Sequence, residues 1–168
     1  MSMIGQFIGV TAKELDDYLS DSALLEARLD AALDAADPAF FDVDKAWDTI
    51  SYLLTGYSQQ QLINAHPPLS WTIFGDKTID SEQDLGYGPA WYLTCDQVKE
   101  VNNALINIFV KDIKINYDAQ KMNELNIYPG HWDNSEDSKN WADRFFEDLK
   151  AFYANAAKSE LAIISYIS

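Results

Sequence analysis

The chain of 168 residues sets 12 Lys and Arg against 27 Asp and Glu, a formal net charge of −15, with 48% apolar residues and 5 Trp, 9 Tyr and 8 Phe. That length suits one domain burying about 70% of its unfolded surface without metal or disulfide, and the aromatic content excludes a disordered chain. The charge excludes a protein that works by setting cations against nucleic-acid phosphates or an anionic membrane; it serves either solubility or, where it carries function, a basic protein partner.

The only cysteine, Cys95, permits no internal disulfide and fits a reducing compartment. The start, MSMIGQFIGVTAKELDDYL, lacks the basic region and long apolar run of a signal peptide. The apolar run LAIISYI falls far short of the ~20 residues of a membrane helix. A soluble, cytoplasmic protein is the expectation.

Met3 to Val10 mixes β-branched and aromatic residues with Gly5 and Gly9 and predicts a first strand with close backbone approach. Thr11-Ala-Lys-Glu14 is a capping box that starts a helix. Leu25, Leu29 and Leu33 recur at helical spacing, and that helix should end near Asp37-Pro38. Asp42 to Leu54 is a further helix with Trp47, Ile50 and Leu54 on one face and Gly56 as its C-cap. Ser58 to Gly88 carries weak signals, with WTIF (Trp71–Phe74) a candidate short strand. Pro89 to Leu93 reads as a strand. Thr94-Cys-Asp-Gln97 is a second capping box, opening a helix whose apolar face is Val98, Val101, Leu105 and Ile108. Ser135 onward predicts one long helix with Trp141, Phe145, Leu149, Phe152 and Ala156 in a stripe, and Leu161 to Ile167 a last strand. The pattern implies a single helix-rich α+β domain over residues 1–168, with a small mixed sheet that includes the N- and C-terminal strands.

The stretch DLGYGPAWYLTCDQV (Asp84–Val98) invites two chemical readings. A dinucleotide fingerprint needs strand, glycine loop, then helix, but here Gly86 and Gly88 precede a strand and Trp91 stands at the third glycine position. A turn into a strand accounts for them better. Cys95, first in a capped helix, could be activated by the helix field, and a Cys–His pair would then require His66 or His131, oriented by a carboxylate such as Asp84. The two histidines belong to no metal-binding spacing, so no metal is expected. Asp42-x-Asp44 and Asp133-x-Ser135-x-Asp137 lack the glycine and acidic twelfth residue of a calcium loop. No serine has a nucleophile-elbow context. No cofactor is expected, and the residues name no catalytic group.

Three polar-aromatic clusters fall on turn-rich segments, around His66 and Trp71, around Tyr87 and Trp91, and around Tyr128, His131 and Trp132. Converging, they would line an aromatic cleft for a small molecule; otherwise they plug the core beneath their loops.

Four stretches in order, MSMIGQFIGVT, DKAWDTISYLLTG, LGYGPAWYLTCDQVKEV and IYPGHW, make the whole chain resemble the YfbM-like family of small bacterial proteins, a domain of unknown function. The resemblance implies an α+β fold in a bacterial cytoplasm and brings no catalytic residues. In that family proline is frequent at the position of Cys95, which suits a first helical residue, and histidine at that of Ser51; both departures point away from an enzyme. The expectation is a non-enzymatic interaction module whose acidic surface suits a basic protein, in the manner of toxin-immunity proteins. The alternative is a small-molecule-binding protein or enzyme that uses the aromatic cleft.

Overall fold

Thr11 caps the first helix as its sequence dictates: its hydroxyl accepts the Glu14 N–H at 3.2 Å, and the Glu14 carboxylate accepts the Thr11 N–H at 2.7 Å. The computed structural model of the chain describes residues 2–33 and 37–168. In chain order it runs β1 (Gly5–Val10), α1 (Ala12–Ser20), α2 (Ser22–Leu33), β2 (Phe40–Asp42), α3 (Trp47–Thr55), α4 (Trp71–Phe74), β3 (Lys77–Thr78), β4 (Trp91–Leu93), α5 (Cys95–Leu105), α6 (Val110–Ile113), α7 (Ala119–Glu124), α8 (Glu136–Asn140), α9 (Asp143–Lys158) and β5 (Ala162–Ile167). The expected stop of α2 near Asp37 involves residues 34–36, which lie outside those described.

The strands form one five-stranded sheet in the order β2-β1-β5-β4-β3. The two terminal strands are neighbours, with Gly5 opposite Ile167 and Val10 opposite Ala162. Every pairing is antiparallel, which corrects the expected mixed sheet. β5 sits between β1 and β4 and is buried at each of its positions, in keeping with a run that is apolar apart from Ser165.

Alternation along the strands splits the core. Phe7, Leu93, Ile163 and Ile167 face a large cluster built with α3, α5 and α9. Ile8, Val10, Ala162, Ile164 and Tyr166 face a smaller one capped by Leu15 and Tyr18 of α1 and Leu25 and Leu29 of α2. The sheet thus lies between a thin α1–α2 layer and a thick layer holding the other long helices. Gly5 permits the closest approach: a Cβ there would stand 2.6 Å from Trp47 Cβ.

Three elements differ from the sequence reading. The helix expected from Asp42 starts at Trp47, because Phe40–Asp42 pairs with β1 as strand β2. Trp71–Phe74 is a short helix and no strand; the Tyr153 hydroxyl donates to Thr72 O at 2.8 Å, and the Phe74 ring meets Trp47 and Trp91 edge-on. The helix expected from Ser135 is two, α8 and α9, parted at Trp141-Ala142, where Trp141 packs on Trp132 and Phe145. The buried face of α9 is Phe146, Leu149, Tyr153 and Ala156, and Phe145 and Phe152 flank it half-buried.

Candidate functional site

The glycine-rich loop consumes its own donors. Asp84 Oδ1 accepts the N–H of Gly86 at 2.9 Å and of Gly88 at 3.1 Å, and the Leu85 N–H donates to Gly88 O at 2.9 Å. Those bonds hold the Asp84 carboxyl below its usual range. The amides that a phosphate would need already point at a carboxylate. The neighbouring Tyr87 N–H donates to Ile167 O at 3.1 Å, which ties the loop to the end of β5 and leaves the Tyr87 ring exposed.

The IYPGHW segment is a braced platform. Asp48 Oδ2 accepts the Tyr128 N–H at 2.8 Å, and the Thr49 hydroxyl donates to Tyr128 O at 2.7 Å. The Tyr128 hydroxyl accepts the Met3 N–H at 3.1 Å, while the Trp47 indole donates to Met3 O at 3.2 Å. At the other end the Asn123 amide grips Trp132 twice, accepting its N–H at 3.0 Å and donating to its carbonyl at 2.7 Å. Trp132 is buried and its indole donates to Ile127 O at 2.8 Å. His131 stands exposed between these anchors with φ 64, in the left-handed region. Two shallow hollows meet along Pro129–His131. One, of about 270 Å³, adds Trp132, Asp133 and Trp141; the other, of about 350 Å³, adds Asn123, Asn126 and Tyr128.

The remaining sequence candidates fall elsewhere. Trp91 lies on β4 and is separated from Tyr128 by a run of rings: Trp91 to Phe74 at 5.2 Å, Phe74 to Trp47 at 5.8 Å and Trp47 to Tyr128 at 5.6 Å. Trp71 is half-buried against the large core and His66 is exposed at a turn. So Tyr128, His131 and Trp132 share one surface region, and packed rings fill the path from it to Trp91. Cys95 packs beside the smaller core, and among the described residues no side-chain hydrogen bond joins it to His66 or His131. No group of three or more His, Cys, Asp or Glu among the described residues is placed to hold a metal ion.

The charge is unevenly laid over the fold. Residues 11–33 and 79–90, which make up the α1–α2 layer, hold nine acids and two cations, a net of 2 − 9 = −7. Residues 95–158, which supply α5 to α9, hold eight cations and eleven acids, a net of 8 − 11 = −3 over a longer stretch. Both cations of the α1–α2 layer are engaged, Lys13 with Asp17 at 2.7 Å and Arg28 with Asp37.

This layer also holds a hollow of about 320 Å³ between α2, the 84–85 loop and the ends of β1 and β5. Leu29, Leu85 and Tyr166 give it apolar wall; Glu26, Asp30 and Asp84 set carboxylates around it. The Tyr166 hydroxyl donates to Gln6 Oε1 at 2.9 Å, and Gln6 Nε2 donates to the Ser168 hydroxyl at 2.8 Å, fixing its polar side. Burial pushes the Tyr166 hydroxyl up to about 12, so it stays a neutral donor.

Sequence reasoning passed over Asp48 and this hollow. The signal for Asp48 was a lone acid inside the apolar run AWDTISYLL; its side chain is 6% exposed, and desolvation pushes it up to about 6 against the Tyr128 N–H, which pulls it down. Its Oδ1 has no hydrogen-bond partner. The hollow carried no local signal, since its residues come from four separate segments.

Among known proteins, the family described as Domain of unknown function (DUF1877) matches residues 1–166. Protein YfbM of Escherichia coli (strain K12) is 24% identical over 131 residues, 77% of this chain and 75% of that protein. The crystal structure of a protein of unknown function, YfbM from Escherichia coli, has a TM-score of 0.70 at 19% identity and covers 98% of this chain and 99% of its own. At that identity the likeness is one of fold.

Proposed function

The chain belongs to the DUF1877 family, a membership that carries a fold and no reaction, and from the charge laid over that fold we propose a non-enzymatic binding module for a basic protein partner. The observation that carries the reading is the concentration of negative charge on the α1–α2 layer, whose two cations are already paired internally. A field of one sign steers a partner of the opposite sign and raises its association rate. The same field repels nucleic acid and anionic lipid. No helix among the described residues is long and apolar enough to cross a membrane.

The test is affinity capture with the whole protein as bait over a salt series. Exposed charges act over about 10 Å at 0.1 M salt and about 3 Å at 1 M. Partners of high isoelectric point that elute as salt rises support the reading; partners that are neutral or acidic, or that stay bound at 1 M salt, refute it.

A second reading is favoured by the exposed, left-handed His131 between two hollows. The Tyr128–Trp132 platform would then hold a small polar molecule, with Tyr128 and Trp132 as wall and His131 and Asp133 as polar tips. A thermal-shift screen of metabolites tests it: a ligand at 100 times its Kd adds about 2.7 kcal/mol, and His131→Ala should abolish that shift.

A further inference from the structure

We propose that the outer face of α1 and α2 is the surface on which the basic partner docks, and that the hollow beside α2 seats one of that partner's arginine side chains. The inference rests on the reading of a basic partner and adds where it binds and which cation it offers.

The face has the make-up of an interface. Leu19 is 41% exposed and Leu24 47% exposed, at the corner between α1 and α2, within the most acidic layer of the fold. Large apolar side chains amid charge supply the dry contact that a charged patch alone lacks. Because Lys13 and Arg28 are spent on Asp17 and Asp37, the other carboxylates of the layer have no cation of their own layer to meet. A partner that brings cations and apolar residues together complements both features.

The hollow selects arginine over lysine. Leu29, Leu85 and Tyr166 offer an apolar wall for a side-chain stem, and Glu26, Asp30 and Asp84 stand at its rim. A planar guanidinium is weakly hydrated and forks onto carboxylates, whereas an ammonium is a strongly hydrated point charge. The receptor is also held in place before binding. Asp84 is fixed by the Gly86 and Gly88 N–H groups through Oδ1, which leaves Oδ2 outside those bonds. Glu26 Oε1 accepts from Gln83 Nε2 at 3.0 Å, and Gln83 is itself buried. Such preorganisation lowers the cost of binding.

The test uses the whole protein and two fluorescein-labelled amphipathic peptides, identical except that one carries arginine and the other lysine opposite a leucine face. Anisotropy gives their affinities for the native chain and for two triple variants of equal charge change. One is Asp16→Lys, Asp30→Lys and Glu82→Lys on the proposed face; the other is Glu100→Lys, Asp137→Lys and Glu147→Lys on the opposite layer. All six side chains are exposed, so folding should survive, and circular dichroism verifies it. The face variant should weaken the arginine peptide at least about tenfold and the control less than about threefold. The native chain should prefer the arginine peptide, and Asp30→Asn should erase that preference. Equal weakening by both triple variants overturns the docking face while the basic-partner reading stands. Equal affinity for the two peptides overturns the arginine seat. Failure of the native chain to bind either peptide at low salt overturns the inference and the reading beneath it.

Discussion

Replacing Asp48 by asparagine should change how stability depends on pH more than it changes stability itself. Asp48 is 6% exposed, makes one hydrogen bond, to the Tyr128 N–H, and leaves Oδ1 unpartnered. Desolvation lifts its carboxyl to about 6 in the folded chain, against about 3.9 unfolded. Well below about pH 4 both states hold the proton, and ionisation adds no cost. Between about 4 and 6 the unfolded chain releases its proton and the folded chain keeps it, so stability falls as pH rises. Above that window the full cost of about two pK units, roughly 3 kcal/mol, is present. Asparagine keeps an oxygen for the Tyr128 N–H and removes the titration. Its NH₂ would sit where Oδ1 finds no partner, a penalty of about 1–3 kcal/mol that does not vary with pH. The quantity to measure is therefore the difference in unfolding free energy between native and Asp48→Asn chains, by urea titration followed through tryptophan fluorescence at pH 4 and at pH 7.5. Every other titrating group cancels in that difference. The variant should gain roughly 2–3 kcal/mol on the native chain between the two pH values. A difference that stays constant to within about 0.5 kcal/mol would refute the burial argument for Asp48.

Gly5→Ala should destabilise the fold by about 1–3 kcal/mol, since its methyl would press on Trp47 Cβ at 2.6 Å and Val43 Cγ2 at 3.0 Å. At this length that is a Tm drop of several degrees in calorimetry, about 2–4 °C per kcal/mol, and an unchanged Tm contradicts the packing. Cys95→Pro should be neutral or stabilise by about 0.4–1 kcal/mol: Cys95 is the first residue of α5 and Thr94 before it already has ψ 164. A marked loss on thermal unfolding would assign the cysteine a role beyond its place in the helix. Asn123→Ala removes both bonds to the Trp132 backbone and should cost about 1–3 kcal/mol in urea titrations. It should also speed proteolysis within Ile127–Trp132, and unchanged cleavage there would show that the platform is braced by other contacts.

Features set by neighbours in the sequence were legible there. Both capping boxes, at Thr11 and Thr94, are relations across three residues and form as read. Gly56 closes α3 at φ 77 because only glycine enters that region freely, and the mostly apolar run at the end is a fully buried central strand. The total charge, too, is a property of composition alone.

What tertiary structure decided lay between distant residues. WTIF has strand-like composition, yet it is a helical turn whose Thr72 carbonyl is claimed by Tyr153 and whose Phe74 ring is held between Trp47 and Trp91. The last helix breaks where Trp141 meets Trp132. Asp48 owes its raised proton affinity to desolvation in the packed core, against the pull of the Tyr128 N–H from a segment 80 residues away in the chain. The placing of charge followed the same logic. The sheet carries α1, α2 and residues 79–90 on one face, and so gathers the acids of two separate segments around a single hollow. Local chemistry is written in local spacing, whereas a site is a meeting of segments, and only the packing of the sheet between its two layers determines which segments meet.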